Sequence, residues 1–202
     1  GCGGIANAKH LPALSHQKNR VDIVAFCDLI PERAKKAAEK YGTENADVYT
    51  DYRELLKDES IEVVHVLTPN ISHCELTVAA LEAGKHVMCE KPMAATPADA
   101  KKMLEARDKS QKLLTIGRYR QDSQVLKHMC EAGELGEIYY ARAQAIRRRG
   151  VPTWGVFPNK ALQGGGPLID IGTHSLDLTL WMMNNYEPQS VMGASFEKLG
   201  RL

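Results

Sequence analysis

The residues best suited to chemistry lie in one stretch of the sequence, GGGPLIDIGTHSLD at positions 164–177. Asp170 and His174 are four residues apart, so a helix that begins near Asp170 would place both on one face. A carboxylate there can orient an imidazole, and histidine is the side chain best suited to move a proton at neutral pH. Asp177 is an alternative partner for His174. The competing interpretation is a structural His–Asp hydrogen bond without catalysis.

The side chains around this pair are mostly apolar, and we expect most of them to be core: Ile169, Ile171, Leu176, Leu178, Leu180, Trp181 and Met182. A polar pair buried among them needs a partner for each group, which makes it conspicuous. The preceding glycine triplet at 164–166 would let the backbone pass close to a ligand.

A second polar group, Glu90-Lys91-Pro92, follows the short apolar run 86–89, which we interpret as a strand. Ligands of open α/β sheets bind at the carboxyl ends of strands. A lysine there can hydrogen-bond a substrate hydroxyl and, as a cation, lower the cost of removing a nearby proton. The alternative is an exposed lysine before a turn proline.

The opening sequence GCGGIA resembles a phosphate-binding turn. Gly1, Gly3 and Ala6 fit the pattern G-x-G-x-x-G/A, with Gly4 and Ile5 between them. In such a turn the glycines allow tight geometry and close approach of a pyrophosphate, and the third position allows helix and sheet to pack closely. Alone, the pattern is also compatible with a glycine-rich chain end.

Asp28 strengthens the interpretation, because it follows the apolar run 21–27, a predicted strand. A carboxylate at this point can bind the ribose hydroxyls of a dinucleotide. It would also repel a 2′-phosphate, which favours NAD over NADP. Arg33 leaves NADP open, because it could turn inward and tolerate that phosphate. The alternative for Asp28 is a helix-capping or loop aspartate.

A further polar group, Thr68, Pro69 and Asn70, ends the apolar run 61–67, and His73 follows in the first turn of a predicted helix. We expect these residues to bind the cofactor, as we do Glu90 and Lys91. An ordinary strand-to-helix turn with a capping asparagine is the alternative, and it is at least as good an explanation of His73 alone.

Helices and strands alternate through the first part of the chain, which predicts a doubly wound parallel sheet of the α/β class. Helices are expected at 8–19, broken or shortened by Pro12, and at 31–41, 52–57, 71–83 and from Thr96 onward. Strands are expected at 21–27, 61–67, 86–89 and 113–116. We place a dinucleotide-binding domain at residues 1–120 and the start of an α+β domain at 121–202. In the latter we expect strands at 138–146 and 190–199, a loop at 161–166 and an apolar helix at 172–184.

Composition excludes several classes of protein. The 202 residues carry 26 Lys+Arg against 25 Asp+Glu, a balance that argues against a nucleic-acid or membrane-surface binder. No apolar run approaches the roughly 20 residues of a membrane span. The five cysteines are scattered, so we expect reduced thiols, no metal cluster and a cytoplasmic protein.

These motifs together resemble the Gfo/Idh/MocA family, which includes glucose–fructose oxidoreductase and inositol dehydrogenase. The resemblance spans essentially the whole sequence and implies a Rossmann domain followed by an α+β domain with an open, mostly antiparallel sheet. It implies a catalytic triad of Lys91, Asp170 and His174 and a cis Lys91–Pro92 bond. It also implies a homo-oligomer, a dimer or tetramer. By this resemblance the first strand and the end of the second domain are missing, so we expect the sequence to be part of a longer polypeptide.

The implied activity is hydride transfer between NAD, or NADP, and a hydroxyl carbon of a sugar, cyclitol or related polyol. His174 would take the hydroxyl proton, Lys91 would polarise the oxygen and Asp170 would hold the site's orientation and charge. Arg118, Tyr119, Arg120 and Trp154 are candidates for substrate contacts. The run 147–149 is an arginine triplet that could meet an acidic substrate or another subunit, although a solvated run is the simpler interpretation. The alternatives are a redox-assisted NAD-dependent glycoside hydrolase, a non-catalytic NAD(P)-binding sensor and a scaffold.

Overall fold

The computed structural model describes residues 1–117, 121–146 and 150–196. The chain divides into two compact units, residues 1–117 and 118–202. The first unit opens with a π-helical turn, Ala6–His10, that continues into α1; the two together are called the first helical segment. Its remaining elements follow in chain order: α1 Leu11–Ser15, β1 Ala25–Cys27, α2 Pro31–Tyr41, β2 Asp47–Tyr49, α3 Tyr52–Leu56, β3 Val63–Val66, a 3₁₀ turn Asn70–Ser72, α4 His73–Glu82, β4 His86–Cys89, α5 Pro97–Ser110 and β5 Leu114–Ile116.

All strand pairs in the first unit are parallel, which confirms the predicted α/β architecture. β1 pairs with β2, and β3, β4 and β5 form a second sheet in that order. Because parallel neighbours point the same way, the loops after β3 and β4 leave the sheet at the same edge. These loops carry the TPN and EKP motifs.

Both faces of the β3–β4–β5 sheet are covered. Val66, Val87 and Cys89 pack on one face against a cluster that includes Leu81 of α4 and Met103 of α5. Alternation along β3 turns the next residue, Leu67, to the opposite side, where a cluster contains Leu11 of the first helical segment. Each fully buried side chain of the size of Leu81 or Met103 contributes about 1.5–3 kcal/mol relative to an exposed one. Helices on both faces make the sheet doubly wound, as the sequence predicts.

Local signals set several boundaries. The α2 helix has the predicted bounds, with Pro31 at its start. Thr96 caps α5, because its hydroxyl accepts a hydrogen bond from the Asp99 N–H at 3.1 Å. The prediction for the first helix is wrong at both ends, since helical structure runs from Ala6 to Ser15. The β2 strand escaped the sequence analysis because Asp47-Val48-Tyr49 is too short to show a period.

The regular secondary structure of the second unit is all helical in the residues that the structure describes. Its elements are α6 Gln121–Glu131, α7 Lys160–Gln163, a π-helical turn Leu168–Gly172 and α8 Thr173–Met183. The buried Lys127 joins α6 to α8, because its ammonium donates to the Trp181 carbonyl at 2.7 Å. Neither α6 nor the short helix in the predicted loop at 161–166 was anticipated.

The two strands predicted in the second unit are wrong for the residues described. Residues 138–146 and 190–196 have no regular secondary structure, and residues 197–199 lie outside the described part. Alternating side chains can favour a strand, but a strand needs a neighbour for its backbone hydrogen bonds. No such neighbour is formed by the described residues of this unit.

The core prediction around α8 is also wrong. None of the α8 residues is fully buried, and Leu176 is 54% exposed. Apolar composition shows that a helix can be buried, but burial needs an opposing surface. The helix itself starts earlier than expected, because the π-helical turn at Leu168–Gly172 runs directly into it. Among all the described residues, no helix combines the length and apolar character required to cross a membrane.

Candidate active site

The opening loop packs tightly at its first glycine and is open at the next two. A Cβ on Gly1 would lie 2.7 Å from the Leu67 carbonyl oxygen at the end of β3. By contrast, a Cβ on Gly3 or Gly4 would meet no atom of the described residues within 4 Å, apart from its own neighbours in the chain. Ala6 is 1% exposed and belongs to the core. The loop therefore has a packed side and an open side, and the open side can admit a ligand.

Asp28 binds the loop directly. Its carboxylate accepts hydrogen bonds from the Cys2 N–H at 2.8 Å and the Ile30 N–H at 2.9 Å. This fixes the end of β1 against the opening loop, where sequence analysis expected a ribose-binding carboxylate. Desolvation raises the pKa of the Cys2 thiol, so the loop cysteine is a neutral packing group at neutral pH.

Asn7 supports the loop from the first helical segment. Its amide nitrogen donates to the Cys2 carbonyl at 2.8 Å and to the Gly3 carbonyl at 3.0 Å. This residue was not predicted, because an asparagine in a helix carries no sequence signal of which carbonyls its side chain will reach. Ile5 is 43% exposed beside the loop, and Arg33 is exposed in the first turn of α2.

The TPN loop after β3 is linked to the loop after β4 through His73. The imidazole is fully buried, with Nδ1 2.7 Å from the Pro92 carbonyl and Nε2 2.9 Å from the Thr68 carbonyl. A hydrogen bond from His73 to a cofactor would therefore have to replace one of these contacts. Ser72 was not predicted either. It stabilises the same loop, because its hydroxyl lies 2.8 Å from both Thr68 Oγ1 and the Pro69 carbonyl.

The EKP loop is held by its own glutamate. Glu90 Oε2 accepts a hydrogen bond from the Lys91 N–H at 3.0 Å, and Oε1 lies 2.8 Å from His10 Nε2. The His10 hydrogen bond is the main influence that lowers the pKa of Glu90, so the carboxylate is ionised at neutral pH. The Lys91–Pro92 bond is cis, which confirms the expectation drawn from the resemblance.

His65 of β3 lies against His10, which also contacts Glu90. Its ring meets that of His10 edge to face, with 5.7 Å between ring centroids. Burial and then the neighbouring His10 lower the pKa of His65, which favours the neutral ring. Its Nδ1 atom is buried and has no hydrogen-bond partner among the described residues. Neither His10 nor His65 was anticipated, because His10 lies in the first helical segment while its partners, His65 in β3 and Glu90 after β4, are distant in sequence.

Among the predicted site residues of the second unit, Asp170 lies in the π-helical turn and His174 in the first turn of α8. Both belong to one continuous helical stretch; Asp170 is partly exposed and His174 is exposed. The Thr173 hydroxyl lies 3.0 Å from the Asp170 carbonyl and 3.2 Å from the Ile169 carbonyl, which ties the turn to the helix. Trp154 is 60% exposed and meets Phe157 edge to face.

Some predicted residues fall outside the described part of the chain: Arg118, Tyr119, Arg120 and the arginine triplet at 147–149. Their assignments stay predictions. Within the described ranges, no three histidine, cysteine, aspartate or glutamate side chains converge in a way that could hold a metal ion.

Two family models match the sequence. The Gfo/Idh/MocA model described as an oxidoreductase family with an NAD-binding Rossmann fold covers residues 1–118, and the C-terminal domain model of the same family covers residues 123–199. The chain is 45% identical to D-glucoside 3-dehydrogenase of Escherichia coli, over 99% of this chain and 57% of that protein. It is 34% identical to inositol 2-dehydrogenase of Salmonella typhimurium, over 90% of this chain and 52% of that protein.

A solved structure shows the same fold. Levoglucosan dehydrogenase in complex with NADH and levoglucosan superposes with a TM-score of 0.73 and 29% identity, over 90% of this chain and 52% of that one. The chain thus spans about half the length of the proteins that it matches. The match of both family models, and the motifs they contain, establish that the chain belongs to the Gfo/Idh/MocA family of oxidoreductases with an NAD-binding Rossmann fold.

Proposed function

We propose that the protein is a dehydrogenase that uses NAD to oxidise a hydroxyl of a sugar, glycoside or cyclitol, or to reduce the corresponding ketone. The observation that carries the proposal is the open glycine loop bound to Asp28. The same sequence also contains the lysine, aspartate and histidine motifs at Lys91, Asp170 and His174. Relatives named for glucoside, inositol and levoglucosan oxidation support the substrate class.

The residues of the first unit fit a dinucleotide. Gly3 and Gly4 leave room for a pyrophosphate beside the start of the first helical segment, where backbone N–H groups favour an anion. Asp28 lies next to this loop, and its carboxylate is suited to ribose hydroxyls and repels a 2′-phosphate, which favours NAD. Ile5 and Ala6 complete the loop. The other proposed cofactor-binding residues are Gly1, Arg33, Thr68, Pro69, Asn70, His73, Glu90 and Lys91.

We assign the proton chemistry to three residues. His174 accepts the proton of the reacting hydroxyl, Lys91 polarises its oxygen and Asp170 orients the site and its charge. Bound nicotinamide supplies the hydride chemistry. Trp154, Arg118 and Tyr119 are proposed substrate contacts, since an aromatic face suits the apolar face of a sugar.

The test uses the intact protein with NAD or NADP and a panel of glucosides, inositols and polyols, read as growth of reduced-nicotinamide absorbance. Turnover with NAD and one substrate class is expected. His174→Asn and Lys91→Met should each lower kcat by about 10²–10⁴-fold, the usual contribution of a proton-transfer group. His128→Asn and Lys109→Met, which change exposed residues of the same types, serve as controls. Tight NAD binding without net reduction of NAD by any compound would contradict the proposal.

We also propose a homo-oligomer and a cytoplasmic location. Several apolar side chains of the second unit are strongly exposed, among them Tyr139, Ile146 and Met192, which supports association of copies. All five cysteines are free thiols, which suits a reducing compartment. Light scattering of the intact protein tests the first point; a monomer at micromolar concentration would contradict it.

A further inference from the structure

We propose that His10 and His73 are positioning residues that hold the Lys91 loop from its two ends. This inference rests on the proposed function, in which Lys91 acts on the reacting hydroxyl. Neither histidine belongs to the triad of Lys91, Asp170 and His174. Each acts through hydrogen bonds within the first unit.

The N-terminal end of the loop is held by a hydrogen-bonded glutamate. Glu90 Oε2 receives the Lys91 N–H at 3.0 Å, while Oε1 lies 2.8 Å from His10 Nε2. A carboxylate oxygen can only accept, so His10 Nε2 must carry a proton in this contact. The side chains of His10 and Glu90 are only 10% and 18% exposed. Water therefore competes poorly for this contact, and Glu90 has both oxygens engaged.

The C-terminal end of the loop is held by His73. Its Nδ1 lies 2.7 Å from the Pro92 carbonyl, and Nε2 lies 2.9 Å from the Thr68 carbonyl. Carbonyl oxygens only accept, so a neutral ring donates to one of them at a time and a protonated ring donates to both. A protonated ring therefore hydrogen-bonds the loops that follow β3 and β4, and a neutral ring bonds one of them and packs against the other, fully buried in both cases.

Together these contacts secure the backbone on both sides of Lys91. The N–H of residue 91 and the carbonyl of residue 92 are both engaged by buried or half-buried side chains. A rigid backbone limits where the lysine ammonium can reach, and small misplacements of a catalytic group are costly in rate. The ionisable groups facing Glu90 are His10 from the first helical segment and Lys91 from its own loop, and His65 of β3 faces His10.

The first experiment measures amide hydrogen exchange at Lys91, which does not depend on activity. Lys91 supplies the last amide before Pro92, so overlapping peptides isolate its exchange. His10→Leu should speed exchange at Lys91 by about tenfold, the loss expected when a hydrogen bond to a charged group weakens. His10→Gln keeps a donor near Glu90 and should restore protection. His16→Leu changes an exposed histidine that follows α1 and should have no effect. Equal exchange in His10→Leu and the wild-type protein would overturn the proposal.

The second experiment separates positioning from folding. His10→Leu should lower kcat several-fold while the Kd for NADH stays within about twofold, and His10→Gln should recover most of the loss. A purely structural role would reduce the number of NADH-binding sites and leave kcat per site unchanged, which would overturn the proposal. If exchange at Lys91 responds as expected but the wild-type protein reduces no NAD with any substrate, the positioning role stands and the proposed function fails.

The His73 end is tested by His73→Met, which roughly keeps the volume and removes both ring nitrogens, and by His73→Gln, which keeps an amide donor. We expect kcat per NADH-binding site to decrease from the wild-type protein to His73→Gln and further to His73→Met. Because the ring is fully buried, the thermal midpoint of each variant is measured first. If neither variant folds, His10→Leu decides the proposal. If the variants fold and kcat per NADH-binding site is unchanged, His73 is not a positioning residue.

Discussion

The candidate site residues of the two units are held in different ways. In the first unit, Asp28 and Glu90 each accept two hydrogen bonds from groups of the same unit. The buried His73 ring contacts two backbone carbonyls there. In the second unit, His174 is exposed on a helix none of whose residues is fully buried. Function and packing are therefore coupled in the first unit, and substitutions there should change stability as well as binding. In the second unit, substitution of the exposed His174 should change chemistry with little effect on stability.

The largest expected contrast is between two leucines. Leu81→Ala in the core of the first unit should lower the free energy of unfolding by about 2–5 kcal/mol, since it removes a fully buried side chain. Leu176→Ala in α8 should change it by no more than about 0.5 kcal/mol, as is usual for an exposed position. Urea unfolding of the intact protein measures both. Equal losses of unfolding free energy in the two variants would contradict the difference in packing between the units.

The coupling is tested next at Asp28 and His174. Asp28→Ala should raise the Kd for NAD by about 10–100-fold and also destabilise the protein by about 1–3 kcal/mol, because two backbone N–H groups lose their acceptor. His174→Ala should lower turnover and leave the unfolding free energy nearly unchanged. Calorimetric NAD binding and unfolding curves provide the measurement. An Asp28→Ala protein of full stability would show that the loop does not depend on the carboxylate.

The opening loop offers a finer test within the first unit. Gly1→Ala should destabilise the protein by about 1–3 kcal/mol, because its Cβ would meet the Leu67 carbonyl oxygen at 2.7 Å. Gly3→Ala should leave stability unchanged within about 0.5 kcal/mol and weaken NAD binding, because the open side of the loop is where a pyrophosphate would approach. Thermal midpoints and NAD titrations of the two variants measure the difference. Normal NAD binding by Gly3→Ala would place the dinucleotide elsewhere.

The smallest effect concerns pH. The folded state lowers the pKa of His65 below its usual value of 6.5, so the unfolded chain binds a proton first as pH falls. His65 therefore lowers the free energy of unfolding as pH falls through 6.5, and it has no effect on that free energy at pH well above 6.5. His65→Leu should lose less stability than the wild-type protein between pH 7.5 and pH 5.5, by at most about 1.4 kcal/mol per pH unit, the limit set by one proton. Urea unfolding at both pH values checks this, with His16→Leu as the control.

The sequence by itself predicted much of the first unit and the residues of its motifs. Proline, glycine and capping residues marked α2 and α5, and apolar runs marked the central strands, because these signals are local. The glycine loop, Asp28 and the EKP motif could be assigned in the same way. The motifs also indicated the Gfo/Idh/MocA family, and the family models confirm this prediction.

Only the tertiary structure decided which side chains support those motifs. His10 contacts Glu90, which is 80 residues away in the sequence, so no spacing pattern reveals it. The partners of Asn7 and Ser72 are near in sequence, but the fold of the loops decides which carbonyls and hydroxyls these side chains reach. The strands predicted at 138–146 and 190–199 are absent from the described residues, 138–146 and 190–196, for a related reason. The alternation of apolar and polar residues indicates which face of a segment could be buried. A strand forms only when another part of the chain supplies hydrogen bonds, and a helix is buried only when another part supplies apolar surface.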